Sequence, residues 1–245
     1  MAVVLSHASI SDARVFNFKS QTAAAYLRGA VGLNKLQKYA YAPGFPTIVD
    51  FPDNDGVNQN YSGEFGFSFT KGITTRLGVE LLYPQLTKEL EGRVNTLKAL
   101  SVTSQVYAVI PQINFEIPMK SSTNYKLFIG GGAGYALATL KNTVTMTPTG
   151  TTLYGVTDYI EEGSGFGIMG QAFAGIEFSF FDNVSMSLDS GYRYLVVNNY
   201  TANRSASTVR GRIESGNQIK NIDGTNRFTD LSGPWAAMTF RFYFN

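Results

Sequence analysis

The sequence predicts an all-β protein, an eight-stranded antiparallel transmembrane β-barrel with short periplasmic turns and long extracellular loops. Three observations lead to this prediction: apolar and polar residues alternate with a period of two in eight segments, the connections between these segments alternate in length, and their polar face is charged. The chain has 245 residues, 44% of them hydrophobic, and no cysteine. This composition excludes a disordered chain, a disulfide scaffold and a thiol nucleophile.

Six segments show the alternation clearly. They are Tyr61–Thr70, Thr75–Tyr83, Tyr107–Ile117, Phe166–Phe180, Val184–Val196 and Met238–Phe244. In the first of them Phe65 and Phe67 alternate with Glu64, Gly66 and Ser68. Such a period indicates strands with one apolar and one polar face.

Two further strands are predicted from weaker patterns, over Ala24–Leu33 and Tyr125–Leu140. The second contains Gly130, Gly131, Gly132 and Gly134, which obscure its two faces. Glycines within a strand indicate a bend or close packing in the barrel wall. They do not fit a phosphate-binding loop, because no Lys-Ser/Thr pair follows them.

The connections are short at Lys71–Gly72, near Lys120–Asn124 and at Asp182–Asn183, and long at about 35–60, 85–103, 141–163 and 199–232. Alternation of tight and extended connections is typical of bacterial outer-membrane barrels. Within 85–103, the spacing of Leu86, Leu90 and Leu97 favours a short helix on the barrel rim; the alternative is an extension of two strands.

The polar face distinguishes a membrane barrel from a soluble lipocalin-like barrel, the main alternative fold. Arginine outnumbers lysine on it, and acids accompany the arginines. Because a guanidinium pairs with carboxylates in a planar fork, this composition favours a closed interior over a face in water. The predicted lumen charge network comprises Arg28, Glu64, Arg76, Glu80, Glu116, Glu177, Asp189, Arg193 and Arg241.

Aromatic residues near the strand ends predict the two girdles that flank a membrane band. The candidates are Tyr26, Tyr61, Tyr83, Tyr107, Tyr125, Tyr192, Tyr194, Trp235 and Tyr243.

Two stretches resemble the small bacterial outer-membrane barrels of the OmpA-like family. Met238–Phe244 is similar to the closing strand of that family, although Asn245 follows the last aromatic residue, and Leu127–Tyr135 is similar to one of its glycine-containing strands. The resemblance extends in pattern over residues 23–245. It implies a porin-like fold in the outer membrane of a Gram-negative bacterium, recognised by the barrel-insertion machinery after removal of a signal peptide.

We expect two parts: an N-terminal tail over residues 1–22, periplasmic or lumenal, and the transmembrane barrel over residues 23–245. The first residues lack a basic segment and a long apolar stretch, so we interpret them as a mature or re-engineered start.

We predict no enzyme and no cofactor. The sole histidine, His7, precedes the first strand, and serine-based acyl transfer normally needs such a base. The acids of the strands are better explained as partners of arginines. Asp50, Asp53 and Asp55 weakly resemble the opening of a calcium loop, but the distant glutamate is missing.

The expected partners are outer-membrane lipid and lipopolysaccharide, the insertion machinery, and a surface or peptidoglycan-side partner that the sequence does not identify. Candidate contacts to lipopolysaccharide are Arg204, Arg210, Arg212 and Lys220. A net charge of +2 gives no reason to expect nucleic acid.

The sequence therefore predicts a structural or interaction barrel with a charged, largely plugged lumen that presents long surface loops. The alternative is a narrow channel for ions or small apolar molecules, and a lipid-modifying enzyme is disfavoured because no predicted strand carries a histidine.

Overall fold

A computed structural model of the chain describes residues 22–34, 36–46, 48–52, 57–84, 89–122, 124–181 and 183–244. In chain order the strands are β1 (Ala23–Asn34), β2 (Val49–Asp50), β3 (Asn58–Lys71), β4 (Ile73–Pro84), β5 (Leu90–Val94), β6 (Leu97–Ser121), β7 (Tyr125–Met146), β8 (Tyr159–Phe181), β9 (Val184–Ala202), β10 (Ala206–Thr208), β11 (Gly211–Ile213), β12 (Thr229–Asp230) and β13 (Gly233–Tyr243). The helices are α1 (Leu36–Tyr41), a 3₁₀ turn (Ala42–Gly44) and α2 (Pro148–Tyr154). Within these ranges no helix is long and apolar enough to cross a membrane.

Eight antiparallel strands close into a ring in the order β1-β3-β4-β6-β7-β8-β9-β13, and β13 pairs with β1 to complete it. The fold class predicted from the alternation is confirmed. Closure removes every free edge of the ring, which matters because unpaired backbone groups are costly in lipid.

Tight connections lie at one end of the ring. Strands β3 and β4 meet at Gly72, whose φ of 79° lies in the left-handed region that favours glycine. β6 ends at Ser121 and β7 begins at Tyr125, while β8 ends at Phe181 and β9 begins at Val184. The longer connections lie at the other end, which is the external end of an outer-membrane barrel.

The strands differ in length, and this shapes the external end. β1, β4 and β13 have 11 or 12 residues, about the number that spans a bilayer, whereas β6, β7 and β8 have 22 to 25. One side of the barrel therefore projects beyond the membrane. The predicted loops at 141–163 and 199–232 are correspondingly shorter than expected, because β7, β8 and β9 run into them.

The helix favoured within 85–103 is wrong, and the described part of this segment forms strands, which was the alternative. β5 and β6 form a hairpin around the two-residue loop Asn95-Thr96, and Asn95 has a φ of 55° that asparagine tolerates in such loops. Leu90 pairs with Val102 and Leu97 with Val94 across the hairpin, so these two leucines have strand partners and are not part of a helix. Residues 85–88 lie outside the described part of the chain.

The ring presents apolar side chains outward and polar side chains inward. Phe65, Phe67 and Phe69 are about half exposed, whereas Glu64 and Ser68 on the same strand are buried. A soluble barrel has the opposite arrangement. The outward face therefore fits the hydrocarbon region of a bilayer.

Candidate functional site

The half of the barrel interior towards the tight turns holds acidic and basic side chains. The structure places all nine residues of the predicted network inside the barrel and buries each of them. Lys126 joins them, which gives five basic and five acidic side chains. Their formal charges cancel, as expected where a net charge would be costly.

The central residue of this network is Arg241. Its Nη1 donates to Glu177 Oε2 at 2.6 Å, and its Nη2 donates to Glu116. Lys126 Nζ lies 2.7 Å from Glu177 Oε2 and 3.5 Å from Glu116 Oε2. Tyr243 adds a hydroxyl that donates to Glu177 Oε1 at 2.8 Å. One arginine and one lysine thus share two carboxylates.

A second group lies along β1 and its neighbours. Arg28 Nη1 lies 3.2 Å from Glu64 Oε2, and Arg28 Nε lies 3.5 Å from Asp189 Oδ2. The hydroxyl of Tyr26 donates to Glu64 Oε1 at 2.6 Å, and the Arg28 guanidinium stacks 4.3 Å from the ring centroid of Trp235.

Arg76 differs from the other arginines. It is fully buried, its Nε lies 3.4 Å from Glu116 Oε1, and its guanidinium lies 5.0 Å from the ring centroid of Phe173. Within the described ranges its nitrogen atoms donate no hydrogen bond. An ion pair and an aromatic face hold this charge.

The girdle prediction is wrong for Tyr26, Trp235 and Tyr243, which are buried inside the barrel. They share the face of Arg28 and Arg241, since residues two apart on a strand point the same way. The outward tyrosines Tyr61, Tyr83, Tyr107, Tyr192 and Tyr194 are at least one-third exposed.

The sequence reasoning missed Lys126 because the glycines of β7 hid its two faces. The same glycines pack closely, as predicted: a Cβ on Gly132 would lie 1.8 Å from Asn114 Oδ1. That amide oxygen accepts from Gln171 Nε2 at 2.7 Å. Glycine at 132 therefore leaves room for the interior amides.

The outer half of the interior contains an apolar core. Leu36 and Tyr41 of α1 are buried against side chains of the projecting wall. The principal members of this apolar core are Leu82, Leu100, Val106, Ile110, Leu140, Met169, Leu195 and Tyr200. Helix α1 packs on this core and contacts β6, β7 and β12.

A polar cluster fixes α1 in this position. Arg227 Nη1 and Asn142 Nδ2 both donate to the carbonyl oxygen of Ala40, at 2.8 and 2.9 Å. Arg227 Nη1 lies 3.1 Å from Glu161 Oε1, and Arg210 binds the other oxygen of the same carboxylate. Burial lowers the pKa of Arg227, although Glu161 opposes this shift. Sequence reasoning did not anticipate this cluster, whose members come from distant segments.

Of the four residues proposed to contact lipopolysaccharide, the structure brings Arg210 and Lys220 to the walls of one groove, which Arg204 and Arg212 do not line. Arg210 is nine-tenths buried against Glu161, and Arg212 Nε lies 2.6 Å from Glu214 Oε1. Arg204 and Lys220 are exposed.

Other predicted features fall partly outside the described residues. His7 and the tail lie there, apart from residue 22, and so do Asp53 and Asp55. Asp50 lies on β2 and is exposed. Within the described ranges, no group of three acids or histidines is placed to hold a metal ion.

The chain matches no known family model, and no curated protein matches its sequence. Three solved bacterial structures are similar to it at low identity. Neisserial surface protein A is 11% identical, with 91% of this chain and 99% of that chain covered and a TM-score of 0.41. The attachment invasion locus protein Ail of Yersinia pestis, in complex with a heparin analogue, is 11% identical, with 91% and 99% covered and a TM-score of 0.38. The outer membrane protein OprG from Pseudomonas aeruginosa is 13% identical, with 92% and 97% covered and a TM-score of 0.42.

Because these identities and TM-scores are low, the assignment of the fold and its location rests on features of the chain itself. A closed ring, an apolar outward face and a charged interior belong to a transmembrane barrel, and short turns opposite long loops belong to the outer-membrane type. The protein is an outer-membrane β-barrel.

Proposed function

We propose that this barrel is a closed structural anchor that presents its external loops for surface contact, and that it does not conduct. The observation that carries the proposal is the apolar core in the outer half of the interior, to which Leu36 and Tyr41 of α1 belong. An ion entering from outside would have to displace this core, which is unfavourable for a charged species.

The inner half supports the same function. Salt bridges join side chains from opposite walls, including Arg193 to Glu80 at 2.6 Å. Breaking such a buried pair costs about 3–5 kcal/mol. The network therefore braces the wall from within, and the loops above it rest on a rigid support.

Thiol accessibility tests the closure, because the chain has no cysteine of its own. Ala138→Cys places a thiol in the apolar core, and Thr145→Cys places one on an exposed position of the same strand. The proposal expects a water-soluble maleimide to label Thr145→Cys rapidly and to leave Ala138→Cys unmodified in the folded protein. Labelling of both thiols at similar rates would show that water reaches the interior and would refute closure.

A further inference from the structure

The last external connection, between β9 and β13, contains a groove that the barrel does not need for closure. Its volume is about 320 Å³, at the lower end of the range for small-molecule sites, ~300–1,000 Å³. Its walls include Arg210, Ile213, Gln218, Lys220 and Ile222. We call it the loop groove.

The charge around the loop groove is positive. Arg210 and Arg227 share a single carboxylate, that of Glu161, and Lys220 adds a third positive charge at the groove wall. The described residues that line the groove include no acid. A group with negative charge is therefore the favoured occupant.

The acids Asp223 and Glu214 of the same connection form no ion pair with Lys220. Asp223 Oδ1 accepts from the backbone nitrogen and the hydroxyl of Thr225, at 2.9 and 2.6 Å. Glu214 binds Arg212 and the hydroxyl of Ser205. Neither carboxylate neutralises Lys220 in the structure.

The apolar part of the groove limits the kind of anion. Ile213 and Ile222 supply aliphatic surface, and Ile222 is 47% exposed. The amide of Gln218 supplies a donor and an acceptor. Aliphatic surface beside an amide and a cation suits the C–H face, hydroxyls and acidic group of a sugar ring.

From these features we infer that the loop groove binds an acidic sugar, a saccharide that carries a phosphate or a carboxylate. The inference rests on the proposed function, since it names the ligand class that the external surface contacts. Two sources carry this chemistry: phosphorylated sugars of the cell's own lipopolysaccharide, and uronic acids of other surface polysaccharides.

The test uses the full chain refolded in lipid nanodiscs, titrated separately with glucose 1-phosphate, glucuronate and neutral glucose. Backbone NMR resonances of Gln218, Asn221 and Gly224 report on the groove. We expect the acidic sugars to shift these resonances and glucose to leave them in place. A response to one acidic sugar alone supports the site and identifies its source, whereas no response, or an equal response to glucose, overturns the inference.

Matched variants separate the groove from general surface charge. Lys220→Ala should weaken binding about tenfold, and Lys220→Arg should retain it. Arg204→Ala removes one exposed positive charge from the same loop, outside the groove, and should leave affinity within about twofold. Equal losses in Lys220→Ala and Arg204→Ala would overturn the site.

Two further controls complete the test. Inorganic phosphate that binds as tightly as glucose 1-phosphate would overturn the assignment to a sugar. Maleimide protection of Ala138→Cys in the same preparation reports closure independently. Loss of sugar binding with intact protection would therefore overturn the loop groove alone, and loss of protection would overturn the proposed function.

Discussion

Arg193 and Glu80 join opposite walls of the barrel: Arg193 Nη2 lies 2.6 Å from Glu80 Oε1, although β9 and β4 stand four positions apart in the ring of eight strands. Arg241 on β13 and Glu116 on β6 make a second contact across the same distance in the ring. Eight strands leave an interior that side chains can fill, which permits such contacts.

The Arg193–Glu80 pair should show strong coupling. Arg193→Met alone leaves the Glu80 carboxylate buried without its cation, and should lower the free energy of unfolding by about 3–5 kcal/mol. The double variant Arg193→Met/Glu80→Leu should recover most of this loss, because no ion remains buried. Urea unfolding in lipid vesicles measures both. Equal stability of the single and double variants would count against a charge-paired interior.

A charged side chain on the outward face should destabilise the inserted barrel. Phe67 is 54% exposed on this face, and Phe67→Arg should destabilise the inserted barrel by up to about 2–4 kcal/mol, the range for mid-bilayer sites. Phe67→Leu is the control and should insert normally. Folding yield into vesicles measures the difference. Normal folding of Phe67→Arg without detergent or lipid would contradict the lipid-facing assignment.

Gly132 should not tolerate a larger side chain. A Cβ there would also approach the carbonyl oxygen of Ile113 to 2.6 Å, so Gly132→Ala must displace backbone or the Asn114 amide, at a cost of about 1–3 kcal/mol. A Cβ on Gly63 would meet nothing within 4 Å, so Gly63→Ala is the matched control. The heat-induced gel shift shows whether each variant folds, and the midpoint of urea unfolding compares their stabilities. Identical midpoints would argue that the interior beside β7 is loosely packed.

Arg227 should hold α1 against the apolar core. Arg227→Ala removes one of the two donors to the Ala40 carbonyl and an ion pair with Glu161. The free energy of local opening over residues 36–46 should therefore fall by about 1–3 kcal/mol, and hydrogen exchange there should be faster. Arg212→Ala breaks an exposed ion pair and should leave this exchange unchanged. Unchanged exchange in Arg227→Ala would show that apolar packing alone holds α1.

The alternation of apolar and polar residues was sufficient to predict the eight strands and the ring. Every strand of a barrel wall has one face towards the interior and one towards the outside, so its residues alternate with a period of two. It also assigned Arg28, Glu64 and Arg76 to one face. The same rule, applied to Tyr26 and Trp235, would have moved them from the girdle to the interior.

The pairs of side chains that contact each other in the interior could not be predicted from the sequence. The acid that pairs with Arg241 is determined by strand stagger and barrel diameter, and a local sequence pattern predicts neither of them. For the segment around Asn95, strands were only the alternative prediction, because a helical spacing of leucines favoured a helix. The Arg227 cluster joins residues 40, 142, 161 and 227, a set that no spacing rule connects.

Single-channel conductance of the refolded protein in a planar bilayer tests the central claim most directly. A heat-induced gel shift of the same sample establishes that the barrel is folded. The closed-anchor account predicts a folded band and a bilayer without discrete currents. Steady, discrete currents from folded protein would contradict it, because an ion path would then cross both the apolar core and the charge network.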